Sequence, residues 1–337
     1  GVTHDGGELI PKDSEEYMVL EEMVNRFRKP VNCGEASLSD THFDGVVLMT
    51  PEETLRKATV NLAGRLPTAA EEFRVATGGV EALDVELDRI MLEDSFYGRL
   101  EQIWNDQFLV ERYIGGDEAV DLLDEEFYPN IRWYMEGNED NPRDFSGENQ
   151  DFLEGARMYT NDAVARGPLK LASWLVRNDK PFTEIVAADY MVVNPYSARA
   201  YGITGLQWED PLDPNEWQEA AIPGHTHAGV MSDPMWLNRF PTTDTNRNRH
   251  RARMVYWFFL ATDVLKLAER PVDVSSINDH NPTVNNPNCS VCHTTIDPVA
   301  GMLRNWEAGG TYSPRGEGWY AEVVGPGSGA WELPYAA

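Results

Sequence analysis

Residues 80–92 read VEALDVELDRIML, and their spacing decides the fold class. Leu83, Leu87, Ile90 and Met91 fall at i, i+4, i+7 and i+8, the apolar stripe of an amphipathic helix, with charged residues opposite. The pattern continues through residues 95–110, where Phe96, Trp104 and Phe108 are aromatic anchors, and predicts more helix over 117–134 and 149–176. Upstream, Thr50, Pro51, Glu52 and Glu53 offer an N-cap, a first-turn proline and acidic partners for the helix dipole ahead of Leu55, Ala58, Thr59 and Leu62. Gly64 is placed to end that helix, and Thr68 with Glu71 forms a capping box for the next. Ser14 caps a helix that runs to Phe27. Strand alternation is scarce, so the expected fold is mainly α: a helical body followed by a loop-rich C-terminal module.

The loop-rich part begins near residue 194 and carries prolines at 195, 211, 214, 223, 234 and 241. An apolar, aromatic helix is expected from about 248 to 268, and the Gly/Pro/Trp-rich tail from Thr311 onward suits a short hairpin. The expected organisation is an N-terminal arm over 1–50, a helical domain over 51–195 and a C-terminal module over 196–337.

The 337 residues carry 56 acidic against 28 basic side chains, a net charge of −28. Such a surface repels phosphate backbones and anionic lipid, which argues against nucleic acid as a partner. The longest apolar run, MVYWFFLA at 254–261, is eight residues between Arg249, Arg251, Arg253 and Asp263, far short of the ~20 that cross a bilayer. No membrane span is therefore expected. No dinucleotide loop, P-loop, nucleophile elbow or zincin pattern occurs, so no second cofactor is indicated.

Residues 289–293 read CSVCH. A C-x-x-C-H pentapeptide is the spacing used for covalent c-type haem, with two thiols bonding the porphyrin's vinyl groups and the adjacent imidazole binding iron. One haem c is expected on Cys289, Cys292 and His293. A dithiol redox pair lacks its strand-then-helix setting, a structural zinc site lacks a fourth ligand, and a Cys289–Cys292 disulfide would close a very small ring. Haem c is attached outside the cytoplasmic membrane, so the motif implies export. The opening GVTHDGGELIPKDS has no signal-peptide pattern, so any secretory signal has been removed or was never included. Cys33 is left over as a free thiol, a partner-chain disulfide or a buried small residue.

For the sixth iron position the favoured candidate is His227, in a Gly-flanked His-x-His loop; His225, His280, Met302 and Met231 are the alternatives, and Met235 is a further methionine. Asp297 is a candidate to hold the proximal side by accepting a hydrogen bond, and with Pro298 it predicts a turn after the motif. Trp306, Tyr312 and Trp319 are candidates to wall the haem. Met254 is expected to pack in the aromatic helix.

Residues 55–71 (LRKATVNLAGRLPTAAE), 227–264 and 289–312 resemble planctomycete- and myxobacterial-type cytochrome c proteins, which pair a helical N-terminal module with a C-terminal C-x-x-C-H module. The resemblance implies an exported haem protein, often in a multi-component assembly. The expected function is an exported mono-haem cytochrome c that transfers electrons, with redox proteins or other assembly subunits as partners. The alternatives are a peroxidase-type enzyme, with His225 or Arg249 polarising a bound peroxide, and a structural subunit of an extracellular haem-bearing assembly.

Overall fold

Twelve α-helices and one two-stranded sheet make up the described part of the chain, which confirms the mainly α class. This computed structural model describes residues 14–28, 47–135, 148–243, 246–267 and 286–314. The chain divides into two units, Gly1–Thr54 and Leu55–Ala337. In the first, the Ser14 hydroxyl accepts from the Tyr17 N–H and starts α1 (Glu15–Arg28). Thr50 and Glu53 exchange backbone-to-side-chain bonds, the capping box that opens α2 (Pro51–Ala63).

In the second unit α2 packs Leu55 and Ala63 against Val75, Leu83 and Ile90 of α3 (Ala69–Ile90), a small separate core. Thr68 and Glu71 cap α3 as the sequence predicts. The two expected segments, one from Thr68 and one from Val80, are joined through a kink at Gly79, whose φ of 64° is open to glycine without steric cost. α4 (Asp94–Phe108) follows.

Three helical expectations are corrected. Residues 117–134 hold the four-residue α5 (Glu118–Asp121), turns and the start of a short 3-10 helix at Trp133–Met135. Asp124 folds its carboxylate onto the Glu126 N–H, and Pro129 has no N–H to extend a helix. The span expected at 149–176 is two helices, α6 (Glu148–Ala165) and α7 (Gly167–Arg177), because Pro168 cannot bond the preceding turn. α8 (Glu184–Ala187), strand β1 (Met191–Val193), α9 (Pro195–Ala200), strand β2 (Gln218–Ala220, antiparallel to β1) and α10 (Pro234–Arg239) cross the loop-rich stretch. The aromatic helix α11 (Arg249–Phe259) stops nine residues short of the expected 268: Ala261 turns left-handed (φ 48°) and the Leu260 and Thr262 N–H groups both return to the Tyr256 carbonyl.

The last described helix, α12 (Pro287–Met302), runs straight through Pro298, where a turn had been expected. The Asn286 side chain accepts from the Asn288 N–H and caps it. The Tyr256 hydroxyl donates to the Thr295 carbonyl in the turn that Pro298 weakens. The main hydrophobic core takes Phe108, Leu169 and Leu175 from one side of residue 195 and Trp236, Phe240, Leu303 and Trp306 from the other. A smaller core joins Ala252 of α11 to Val264, Ile296 and Ala300. No described helix is long and apolar enough to cross a membrane.

Candidate functional site

Helix α12 carries the C-x-x-C-H motif, and its 3.6-residue period places Cys289, Cys292 and His293 at i, i+3 and i+4 on one face. Both thiols are half-buried, and neither is in a disulfide. Helical i, i+3 geometry holds their Cβ atoms about 5–6 Å apart, beyond the ~3.8 Å of a disulfide, so this backbone keeps the two sulfurs separate. The Cys292 thiol donates to the Val264 carbonyl at 3.4 Å, which pins the sulfur to the turn after α11.

His293 is anchored from within its own helix. Its Nδ1 lies 3.1 and 3.2 Å from the two oxygens of Asp297, one turn on. Asp297 is fully buried and also receives the Arg249 guanidinium, Nε to Oδ1 at 2.6 Å and Nη2 to Oδ2 at 3.0 Å. Burial alone would raise this carboxyl, but the hydrogen bonds from His293 and Arg249 outweigh it and hold it below the ordinary carboxylate value. An ionised carboxylate only accepts, so Nδ1 carries the imidazole proton and Nε2 is the basic nitrogen. Among the described residues no hydrogen bond is made to Nε2.

This donor set fits a haem. Two thiols, one imidazole with its Nε2 available and a carboxylate fixing the tautomer are what covalent attachment and proximal ligation ask of a protein. Among the described residues no three His, Cys, Asp or Glu side chains converge as a metal-binding group. Haem iron needs at most two protein ligands because the porphyrin supplies four nitrogens.

The other candidates are dispersed. His227 accepts the Ile222 N–H through Nε2 at 2.9 Å, so that nitrogen is already engaged in closing its own loop. Burial holds its imidazole below the ordinary value, in the neutral form that can accept. His225 stacks near His227 and rests on Tyr128 and Tyr312, and burial followed by the neighbouring His227 lowers it to about 4. Among the described residues no hydrogen bond or ring contact joins this loop to His293. Met235 is fully buried in the main core, Met231 is partly buried in a turn, and Met302 is 72 % exposed at the end of α12. Trp306 is a core residue, packed at 4.9 Å against Tyr312 and bridged to it. His280, Trp319, Cys33 and the tail beyond residue 314, where most of the expected hairpin lies, fall outside the described residues.

Sequence reading missed the arginines. Arg249, considered for a distal role, has its guanidinium on the carboxylate that anchors His293. Arg251 is fully buried and donates to the carbonyls of Leu237, Phe240, Trp306 and Glu307 and to Asn248 Oδ1. Arg253 pairs with Asp263. The available signal was the run RNRHRAR at 247–253, a basic cluster in a strongly acidic chain.

No family model, curated protein or solved structure matches the chain.

Proposed function

We propose that the chain is an exported mono-haem c-type cytochrome that transfers electrons, working with redox partner proteins or as a subunit of a larger extracytoplasmic assembly. The observation that carries the reading is the α12 face itself: Cys289, Cys292 and His293 on one side of a helix, with His293 Nδ1 tied to buried Asp297. When bound, the haem supplies a one-electron iron couple. The chain's own residues do the rest. Cys289 and Cys292 are the attachment points, Asp297 keeps the proton on Nδ1 and presents Nε2, and Arg249 fixes Asp297.

An exposed apolar side chain supports the same reading. Leu265, 60 % exposed, follows the Val264 carbonyl that holds Cys292. Covering such a group with a porphyrin face would be favourable at about 25 cal/mol per Å² of apolar surface. The acidic surface suits electrostatic encounter with cationic redox partners.

The test is intact mass of the denatured chain after expression in a host that matures c-type cytochromes. The polypeptide plus one covalent haem is expected, and Cys289→Ser combined with Cys292→Ser should return the bare polypeptide mass. A haem-free wild-type chain would end the proposal. With haem attached, a six-coordinate ferric iron and slow peroxide turnover mark a carrier, whereas a high-spin resting iron with rapid turnover would mark an enzyme.

A further inference from the structure

Asp297 is fully buried, and it is shared unequally between two donors. The Arg249 Nε bond to Oδ1 is 2.6 Å, while His293 Nδ1 stands 3.1 and 3.2 Å from the two oxygens. Arg249 thus takes the shorter contact on the oxygen it shares with His293, and its Nη2 takes the other oxygen at 3.0 Å. The three groups come from two elements, Arg249 opening α11 and His293 with Asp297 one turn apart on α12.

From this geometry we propose that Asp297 and Arg249 act as opposed positioning residues that set the electron-donating strength of the His293 imidazole, and through it the reduction potential of the bound haem. The inference rests on the cytochrome reading above. A carboxylate at Nδ1 draws the ring proton toward itself, so that Nε2 becomes the stronger donor and the ferric state is favoured. A guanidinium bidentate on the same carboxylate neutralises it and competes for its lone pairs, so Arg249 pushes the other way. Both effects are strong here because Asp297 is out of water and little screened. A purely structural ion pair tying α11 to α12 would change stability on mutation, but it would not move the potential in opposite directions from its two ends.

The experiment is spectroelectrochemical titration of the haem-loaded full chain and its variants. Asp297→Asn removes the charge and should shift the ferric-to-ferrous ratio at fixed potential about tenfold toward ferrous, which for one electron is about 59 mV upward. Arg249→Gln leaves the carboxylate uncompensated and should shift the ratio by a similar factor toward ferric, lowering the potential. Arg249→Lys keeps the charge and should stay closer to the wild type than Arg249→Gln, so the Arg249 pair alone carries the test if Asp297→Asn does not fold. Opposite shifts from the two ends support the inference. Shifts of the same sign, or none, in variants whose mass confirms attached haem would overturn it and leave the cytochrome reading intact. A wild-type chain without haem would instead overturn the cytochrome reading.

Discussion

Replacing Arg251 with methionine probes the clamp that sets the frame of the site. Among the described residues the guanidinium makes at least five hydrogen bonds, of 2.9 to 3.1 Å, in a fully buried position. Two acceptors lie at the C-terminal end of α10, one is the residue preceding α11, and two are the carbonyls of Trp306 and Glu307 beyond α12. Methionine keeps the stem and supplies no donor. A buried acceptor left unpaired costs about 1–3 kcal/mol. Five such losses do not add in full, because water enters and the cost of burying a cation is recovered. At roughly 1 kcal/mol for most of them, the expected loss is about 4 kcal/mol, a large share of the 5–15 kcal/mol that holds a typical domain. With a urea slope near 3 kcal/mol per molar the midpoint should fall by more than ~1 M. Arg251→Lys, with three donors on one nitrogen, should lose less. Urea unfolding followed by circular dichroism reads both. A midpoint for Arg251→Met within about 0.2 M of wild type would refute the clamp.

Three further perturbations test separate parts of the frame. Gly229 has φ 53°, and a Cβ there would come within 2.2 Å of the Ile185 carbonyl oxygen while Gly229 and Val230 bond the α8 turn; Gly229→Ala should cost about 3 kcal/mol or more, seen as a lower thermal midpoint. The Arg65 hydrogen bonds hold the Glu71 carboxyl down to about 2, against an ordinary value of 4.5. Their stabilisation is therefore complete above pH 4.5 and is lost as pH falls toward 2, and Arg65→Gln should flatten that part of a stability–pH curve. His227→Ala removes the acceptor of the Ile222 N–H and should cost about 1 kcal/mol with the haem spin state unchanged; conversion from low spin to high spin would instead make His227 the sixth ligand.

Local signals were legible where one short stretch of chain decides them. The Thr50–Glu53 and Thr68–Glu71 caps, the end of α2 at Gly64 and the stripe of Leu83, Leu87 and Ile90 stand in the structure, whereas Met91, expected on that stripe, is the exposed C-cap of α3. Asp297 was singled out as a hydrogen-bond acceptor for the proximal side, and it does bind the His293 ring, though from one turn along a shared helix and not from a turn after the motif. Apolar spacing failed where a single residue outweighs it, as at Pro168, whose missing N–H separates α6 from α7 where periodicity alone would continue one helix. Pro298 failed in the opposite sense, because the α12 backbone absorbs it. The arginines of α11 were read as charges flanking an apolar run, and Arg249 also as a distal candidate; the partners of Arg249 and Arg251 include Asp297 and backbone carbonyls as many as 56 residues away. Composition cannot show whether a guanidinium faces water or a ring of carbonyls; long-range packing decides that.

The contrast between the acidic exterior and this basic interior cluster separates two electrostatic effects. Net charge of −28 acts through solvent and is screened over a Debye length of about 8 Å at physiological ionic strength. The Arg249–Asp297–His293 group acts at contact distance, with Asp297 fully buried and the Arg249 side chain only 13 % exposed, where salt has little reach. On the proposed cytochrome reading, encounter with a partner and tuning of the haem should therefore respond differently to ionic strength. Raising salt from tens to hundreds of millimolar should slow stopped-flow reduction by a cationic donor severalfold while leaving the midpoint potential nearly unchanged. A potential that drifts with salt as strongly as the rate would place the tuning on the surface charge and not on the buried pair.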